Sequence, residues 1–221
     1  MTKSARVVIA LTLAVSACTG GSVPETSPDD AGHPDSPDAV FTALVEALAA
    51  DGFDSAATLT DPAQITVLAI AEGAEPRQVA TFSEEDRAAV AANFWSGFSE
   101  QLRSSIGGGL GDLGAGDFVR HSEAGAQFAT VDLVSADGSP IRRLVLRNTA
   151  DGWLVDLLAS FPAPLLGLIP GAAQGIRSLG DERLLADLRS YEASVAFVLA
   201  DPDADPLLTQ AAMAALEAIV R

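Results

Sequence analysis

His121 is the only side chain beyond the first 37 residues whose ordinary pKa lies near neutrality. It stands between Asp117 and Glu123, and a His–carboxylate pair can do general acid–base work. Strand alternation would put Asp117, His121 and Glu123 on one face. The strand that would carry them is short, so a histidine on an exposed edge is the competing reading. Gly109, Gly111 and Gly114 give the spacing G-x-G-x-x-G. A dinucleotide site needs a strand before that loop and a helix after it. Here a helix is expected before it and a strand after it, so the glycines read as a helix-to-sheet connection. Asp201, Asp203 and Asp205 are spaced like the first ligands of a calcium loop. Pro206 and Ala212 stand where that loop needs Gly and Glu, so the segment reads as a capped turn between helices. No G-x-S-x-G, H-E-x-x-H or S-x-x-K set occurs. No catalytic residue, no metal ligand and no cofactor is assigned, and the chain is expected not to be an enzyme.

The one residue with a clear chemical assignment is Cys18, the only cysteine. Thr2 to Arg6 form a short cationic stretch. Val7 to Val15 is an apolar run too short to span a bilayer but suited to a signal peptide. Ser16 and Ala17 are small, and Cys18 follows. This order resembles the lipobox of bacterial lipoproteins. The resemblance implies cleavage before Cys18, acylation of Cys18 with fatty chains such as palmitate, and an extracytoplasmic protein anchored to the cell membrane.

Loss of residues 1–17 removes Lys3 and Arg6 and no acidic residue, leaving 11 Arg against 30 Asp and Glu, a formal charge of −19. Such a surface repels nucleic acid and anionic headgroups. No lysine remains, which excludes Schiff-base chemistry, a Walker-A loop and a Ser–Lys dyad. With Cys18 acylated, no thiol is left for a disulfide, a nucleophile or a zinc site. Richness in Ala, Asp, Gly and Arg suggests a high-GC genome, such as that of an actinobacterium.

These groups need elements to place them. Residues 18–37 carry Gly, Ser, Pro and Asp with one large apolar residue, Val23, and read as a disordered tether. Helical spacing of Val40, Phe41, Leu44, Val45 and Leu48 predicts a first helix from Pro37 and Asp38 to about Ala50. Ala63–Glu72 fits helix or buried strand equally. Ser83 is a good N-cap for a helix that carries Phe94, Trp95 and Phe98 on a core face. Four strands follow, at Phe118–Ser122, Gln127–Val134, Ile141–Asn148 and Trp153–Leu158. Asp137-Gly138 and Asp151-Gly152 mark hairpins between them. Phe161–Leu179 is apolar but interrupted by prolines and glycines. It is expected to be either a buried loop or a lid or docking patch, with Leu165, Leu166, Leu168 and Ile169 as its binding residues. Two helices, Asp181–Leu199 and Asp205–Val220, end the chain.

Ala39–Gln64, with Phe41, Leu44, Asp51, Phe53, Ala56, Ala57, Leu59, Thr60, Asp61 and Pro62, resembles the opening of NTF2-like domains. It is similar above all to those at the N-terminus of some actinobacterial penicillin-binding proteins and in small envelope lipoproteins. Asp151-Gly152-Trp153-Leu154-Val155 looks like the closing strand of the same family. The resemblance covers about Pro37 to Ser160 and implies an α+β cone in which helices pack on a curved antiparallel sheet (the cystatin-like arrangement). The expected organisation is a signal peptide at 1–17, a tether at 18–37, an NTF2-like domain at 38–160 and a helical extension of it at 161–221. The expected function is non-catalytic binding of an envelope protein or an apolar ligand. The alternatives are a carrier of a lipophilic molecule and a cone-pocket enzyme using His121 with a carboxylate.

Overall fold

In the computed structural model, residues 34–106 and 109–221 are described; the signal segment, Cys18 and the tether up to residue 33 lie outside them. The first half of the described chain is helical. Helix α1 (Pro37–Ala49) starts where Ser36 Oγ accepts the amide of Ala39 at 3.2 Å, with Pro37 in the first turn. It buries Val40, Phe41, Leu44 and Leu48. Helix α2 (Phe53–Thr58) follows a tight turn at Asp51, whose φ is 55°. Helix α3 (Pro62–Ala71) is capped by Asp61 and buries every residue from Gln64 to Ile70. That total burial explains the ambiguous periodicity of this stretch. A helix covered all round shows no apolar stripe. The short α4 (Pro76–Val79) leads to α5 (Glu84–Ile106). Ser83 and Asp86 cap α5 reciprocally, with Ser83 Oγ accepting the Asp86 amide at 3.1 Å and Asp86 Oδ2 accepting the Ser83 amide at 2.8 Å.

The sheet is antiparallel and curls into a half-barrel. Its strands are β1 (Gly114–Ala115), β2 (Val119–Glu123), β3 (Ala126–Val134), β4 (Pro140–Thr149) and β5 (Gly152–Val155). β1 and β2 pair with the same edge of β3, followed by β4 and β5. The β2–β3 turn uses Ala124 and Gly125, both at positive φ, as a two-residue hairpin of this twist requires. The last strand stops at Val155, short of the expected Leu158. Asp156 Oδ1 accepts the amide of Ala159 at 2.9 Å and starts a helical turn, α6 (Leu157–Ser160).

The segment expected to be an irregular loop is also mostly helical. It forms α7 (Pro162–Leu165), a 3-10 turn (Leu166–Leu168) and α8 (Ile169–Leu179). Pro162 and Pro170 fall at the first helical positions, where a missing N–H costs nothing. Helices α9 (Glu182–Leu199) and α10 (Pro206–Val220) begin at the caps Asp181 and Asp205. Helix α9 lies across the face of the sheet that carries His121 and Phe128, and its Phe197 ring sits 4.6 Å from that of Phe128. On the other side of the molecule Phe161 meets Phe94 and Phe98 of α5 edge-on, each at 5.3 Å. One continuous apolar cluster links these helices with the sheet. The architecture is α+β.

Candidate functional site

His121 lies on the exposed edge strand β2. Its Nε2 is 3.2 Å from Thr130 Oγ1, and its ring meets Phe197 edge-on at 5.5 Å. Among the described residues no carboxylate bonds to it; Asp117 lies outside the strand, between β1 and β2. The acid–base trio is therefore not assembled. Arg142 and Arg143 do point to opposite faces. Arg143 Nε pairs with Asp132 Oδ1 at 3.0 Å, and the Arg142 guanidinium lies 5.5 Å from the Phe161 ring centre.

Of the four apolar residues expected to bind, three belong to the core. Leu165, Leu166 and Ile169 are buried because α10 packs on the 3-10 turn and on α8. Only Leu168 reaches the surface, at 39% exposure.

The structure also builds a buried polar cluster. Arg147 on β4 donates through Nη2 to Asp61 and through Nη1 to the Ser190 carbonyl at 2.8 Å. Its Nε makes an ion pair with Asp156 Oδ2 at 3.4 Å. Ser194 Oγ donates to Asp156 at 2.6 Å. Gln64 Oε1 accepts the amides of Leu157 at 2.6 Å and Leu158 at 3.2 Å, and Tyr191 donates to the Gln64 carbonyl. Two carboxylates thus share one guanidinium, and α3, β4, the start of α6 and α9 are tied at one point. Burial raises the Asp61 carboxyl above its ordinary value, although the Arg147 charge opposes it. Burial also pushes the Tyr191 hydroxyl well up, with Asp61 and Asp156 adding to the effect. These groups line neither of the two surface clefts described below. Their chemistry is that of a structural clamp.

The described residues form two surface clefts that bear on the site. One, of about 490 Å³, lies between Ile106, Asp112, Leu113, Asp137 and Ile141. The other, of about 270 Å³, is lined by Arg177, Leu185, Leu188, Arg189 and the end of α10, Ile219 to Arg221.

The unusual surface is α10. Its inner side buries Ala212, Ala215 and Ile219. Its outer side leaves Leu207, Met213 and Val220 exposed at 77%, 62% and 65%. Leu207, Gln210, Met213, Ala214, Glu217 and Val220 recur every three or four residues, so they form one stripe. That stripe holds a single charged group, Glu217. A helix apolar on both sides is ordinarily buried on both sides, and here one side meets solvent. Leu168 stands on the turn that packs against the same helix. The sequence analysis singled out Leu168 and none of the exposed apolar residues of α10. The signal for them was the composition of α10, which has no polar face.

Among the described residues no helix is long and apolar enough to cross a membrane, and no group of three or more His, Cys, Asp or Glu side chains could hold a metal ion. Comparison of the chain with family models, curated proteins and solved structures finds no match.

Proposed function

We propose that this chain is a non-catalytic cell-envelope lipoprotein, anchored through lipid on Cys18, whose tethered domain docks a protein through the outer face of α10. The observation that carries the docking is the stripe of Leu207, Met213 and Val220, which is apolar and bare in a chain otherwise dominated by exposed carboxylates. The anchor is supported by the lipobox-like Val15-Ser16-Ala17-Cys18. An NTF2-like assignment is supported by the order of helices followed by a curled antiparallel meander, with α1 to α3 spanning the segment that resembles the family. Coverage of one sheet face by α9 and Phe197 favours a protein ligand over an apolar small molecule held in the cone. The absence of a carboxylate on His121 among the described residues favours binding over acid–base catalysis.

The test is photo-crosslinking in cells. The full-length chain carries a photoreactive amino acid in place of Met213 or, as a control, of the exposed Gln174 on α8. A discrete adduct from position 213 and none from 174 is expected. No adduct from 213, in a chain with an unchanged melting curve, would overturn the docking reading. Both positions are exposed, so the substitutions should alter stability by no more than about 0.5 kcal/mol.

A further inference from the structure

We infer that the protein docked on α10 is a second copy of this chain, packed antiparallel about a two-fold axis between Met213 and Ala214. This pairing rests on the docking reading above and names its partner. In a two-fold interface, residue i meets j and j meets i, so the surface must be complementary to itself. The α10 stripe has this property about its midpoint. With the axis there, Leu207 meets Val220 of the second copy, Gln210 meets Glu217, and Met213 meets Ala214. The apolar ends cover each other, and an amide faces the one carboxylate of the stripe. The small side chain at the axis lets the helices approach to the usual 8–10 Å or so.

The charges beyond the stripe have the same symmetry. Asp201, Asp203 and Asp205 are exposed at the N-terminal end of α10. Arg177, Arg189 and Arg221 line the cleft at its C-terminal end. Among the described residues only one carboxylate pairs with these arginines, Glu217 with Arg221. Arg177 donates instead to the carbonyls of Ala218 and Ile219. Antiparallel packing brings the acidic end of each copy to the basic end of the other, and does so twice. Parallel packing would set like charges against each other. The helix dipoles favour the same orientation.

Other occupants fit less well. A stripe about 22 Å long, the length of a 15-residue helix, exceeds what a small ligand needs. An anionic bilayer is repelled by a chain with 30 carboxylates and 13 basic groups.

The experiment extends the crosslinking from position 213 in the full-length chain. The expected adduct has about twice the chain mass of 22.6 kDa. An adduct of any other mass, with none at twice the mass, would overturn self-pairing and leave the docking reading standing. No adduct at all would remove both. The register is tested by charge reversal. Asp203→Arg alone and Arg189→Glu alone each create two like-charge ends per dimer, a juxtaposition that costs several kcal/mol. Each should lower the dimer adduct at least about tenfold. Expressed together with different tags, the two variants are complementary at both ends, and the mixed adduct should return to the level of the unaltered chain. Reversals without effect, or mixing without rescue, would overturn the antiparallel arrangement. Both positions are exposed, and unchanged melting curves show that folding is intact.

Discussion

Arg147 is a buried charge that two carboxylates and a carbonyl hold in place. Removing it leaves Asp61 and Asp156 in a space almost closed to water. Arg147→Ala should therefore destabilise the domain by about 3–5 kcal/mol, the usual result of orphaning a buried charge. Urea unfolding measures this, and a loss below about 1 kcal/mol would mean that the clamp is incidental. The same neighbourhood sets the pH response. Burial raises the carboxyl groups of Asp61, Glu72 and Asp187 above their ordinary values. The folded state then holds these protons more tightly than the unfolded chain does. Their contribution to stability is complete below the ordinary carboxyl range and is lost as pH rises through each raised value. Asp86 and Asp137, lowered by hydrogen bonds from Ser83 and from Ser135 and Ser139, act in the opposite sense at lower pH. The urea midpoint should rise as the pH is lowered from neutrality towards the ordinary carboxyl range; a midpoint that falls steadily on that approach would contradict the burial argument. The sequence showed the caps Ser83 and Asp205 plainly, because a cap is read from its immediate neighbours. It offered Asp61 only as one of the residues that resemble the opening of NTF2-like domains. It gave no reason to single out Arg147, since alternation cannot tell which face of a strand is buried when helices cover parts of both.

Elements were legible where one side of them meets water. Helix α5 shows the expected period because it has an exposed side, whereas β3 and β4, buried on both faces at their centres, were marked instead by the turns that bound them. Helix α3 shows no such period, being buried from Gln64 to Ile70. The Phe161–Leu179 segment was obscured by its prolines, which turn out to start helices rather than to prevent them. Three of the four residues expected to bind are buried, and burial is a tertiary event with no local signature. Gly175 shows how closely these elements fit. A Cβ built there would lie 2.9 Å from Cγ of Pro76, whose ring cannot swing aside. Gly175→Ala should push α8 from α4 and cost about 1–3 kcal/mol. A thermal melt equal to that of the unaltered protein would show that the two helices separate without strain.

At the scale of the whole molecule, helices followed by an antiparallel meander could be read from hairpin signals and helical periods, and the α+β class followed. Which surface stays bare could not be read, because exposure is decided by what other parts of the chain cover. On the proposed lipid anchor, location depends on one residue, Cys18. Cys18→Ala should release the protein from the membrane fraction and abolish labelling with a fatty-acid probe, since no described helix can act as a span. Retention of that variant through washes in high salt and mild base would contradict the lipid anchor.

The polar clamp has a consequence for the order of events in folding. Its members come from residues 61, 64, 147, 156, 190, 191 and 194. The guanidinium cannot find its carbonyl, nor Asp156 its hydroxyl, until α9 is present, and α9 lies in the last fifth of the chain. Contacts that join such distant positions form slowly, because long loops must close before they are rewarded. Until α9 packs, Arg147, Asp61 and Asp156 have one another but lack the Ser190 carbonyl and the Tyr191 and Ser194 hydroxyls that complete the cluster. The clamp is thus a late lock: the helices up to α5 and the sheet can form before it, and it closes only when α9 docks.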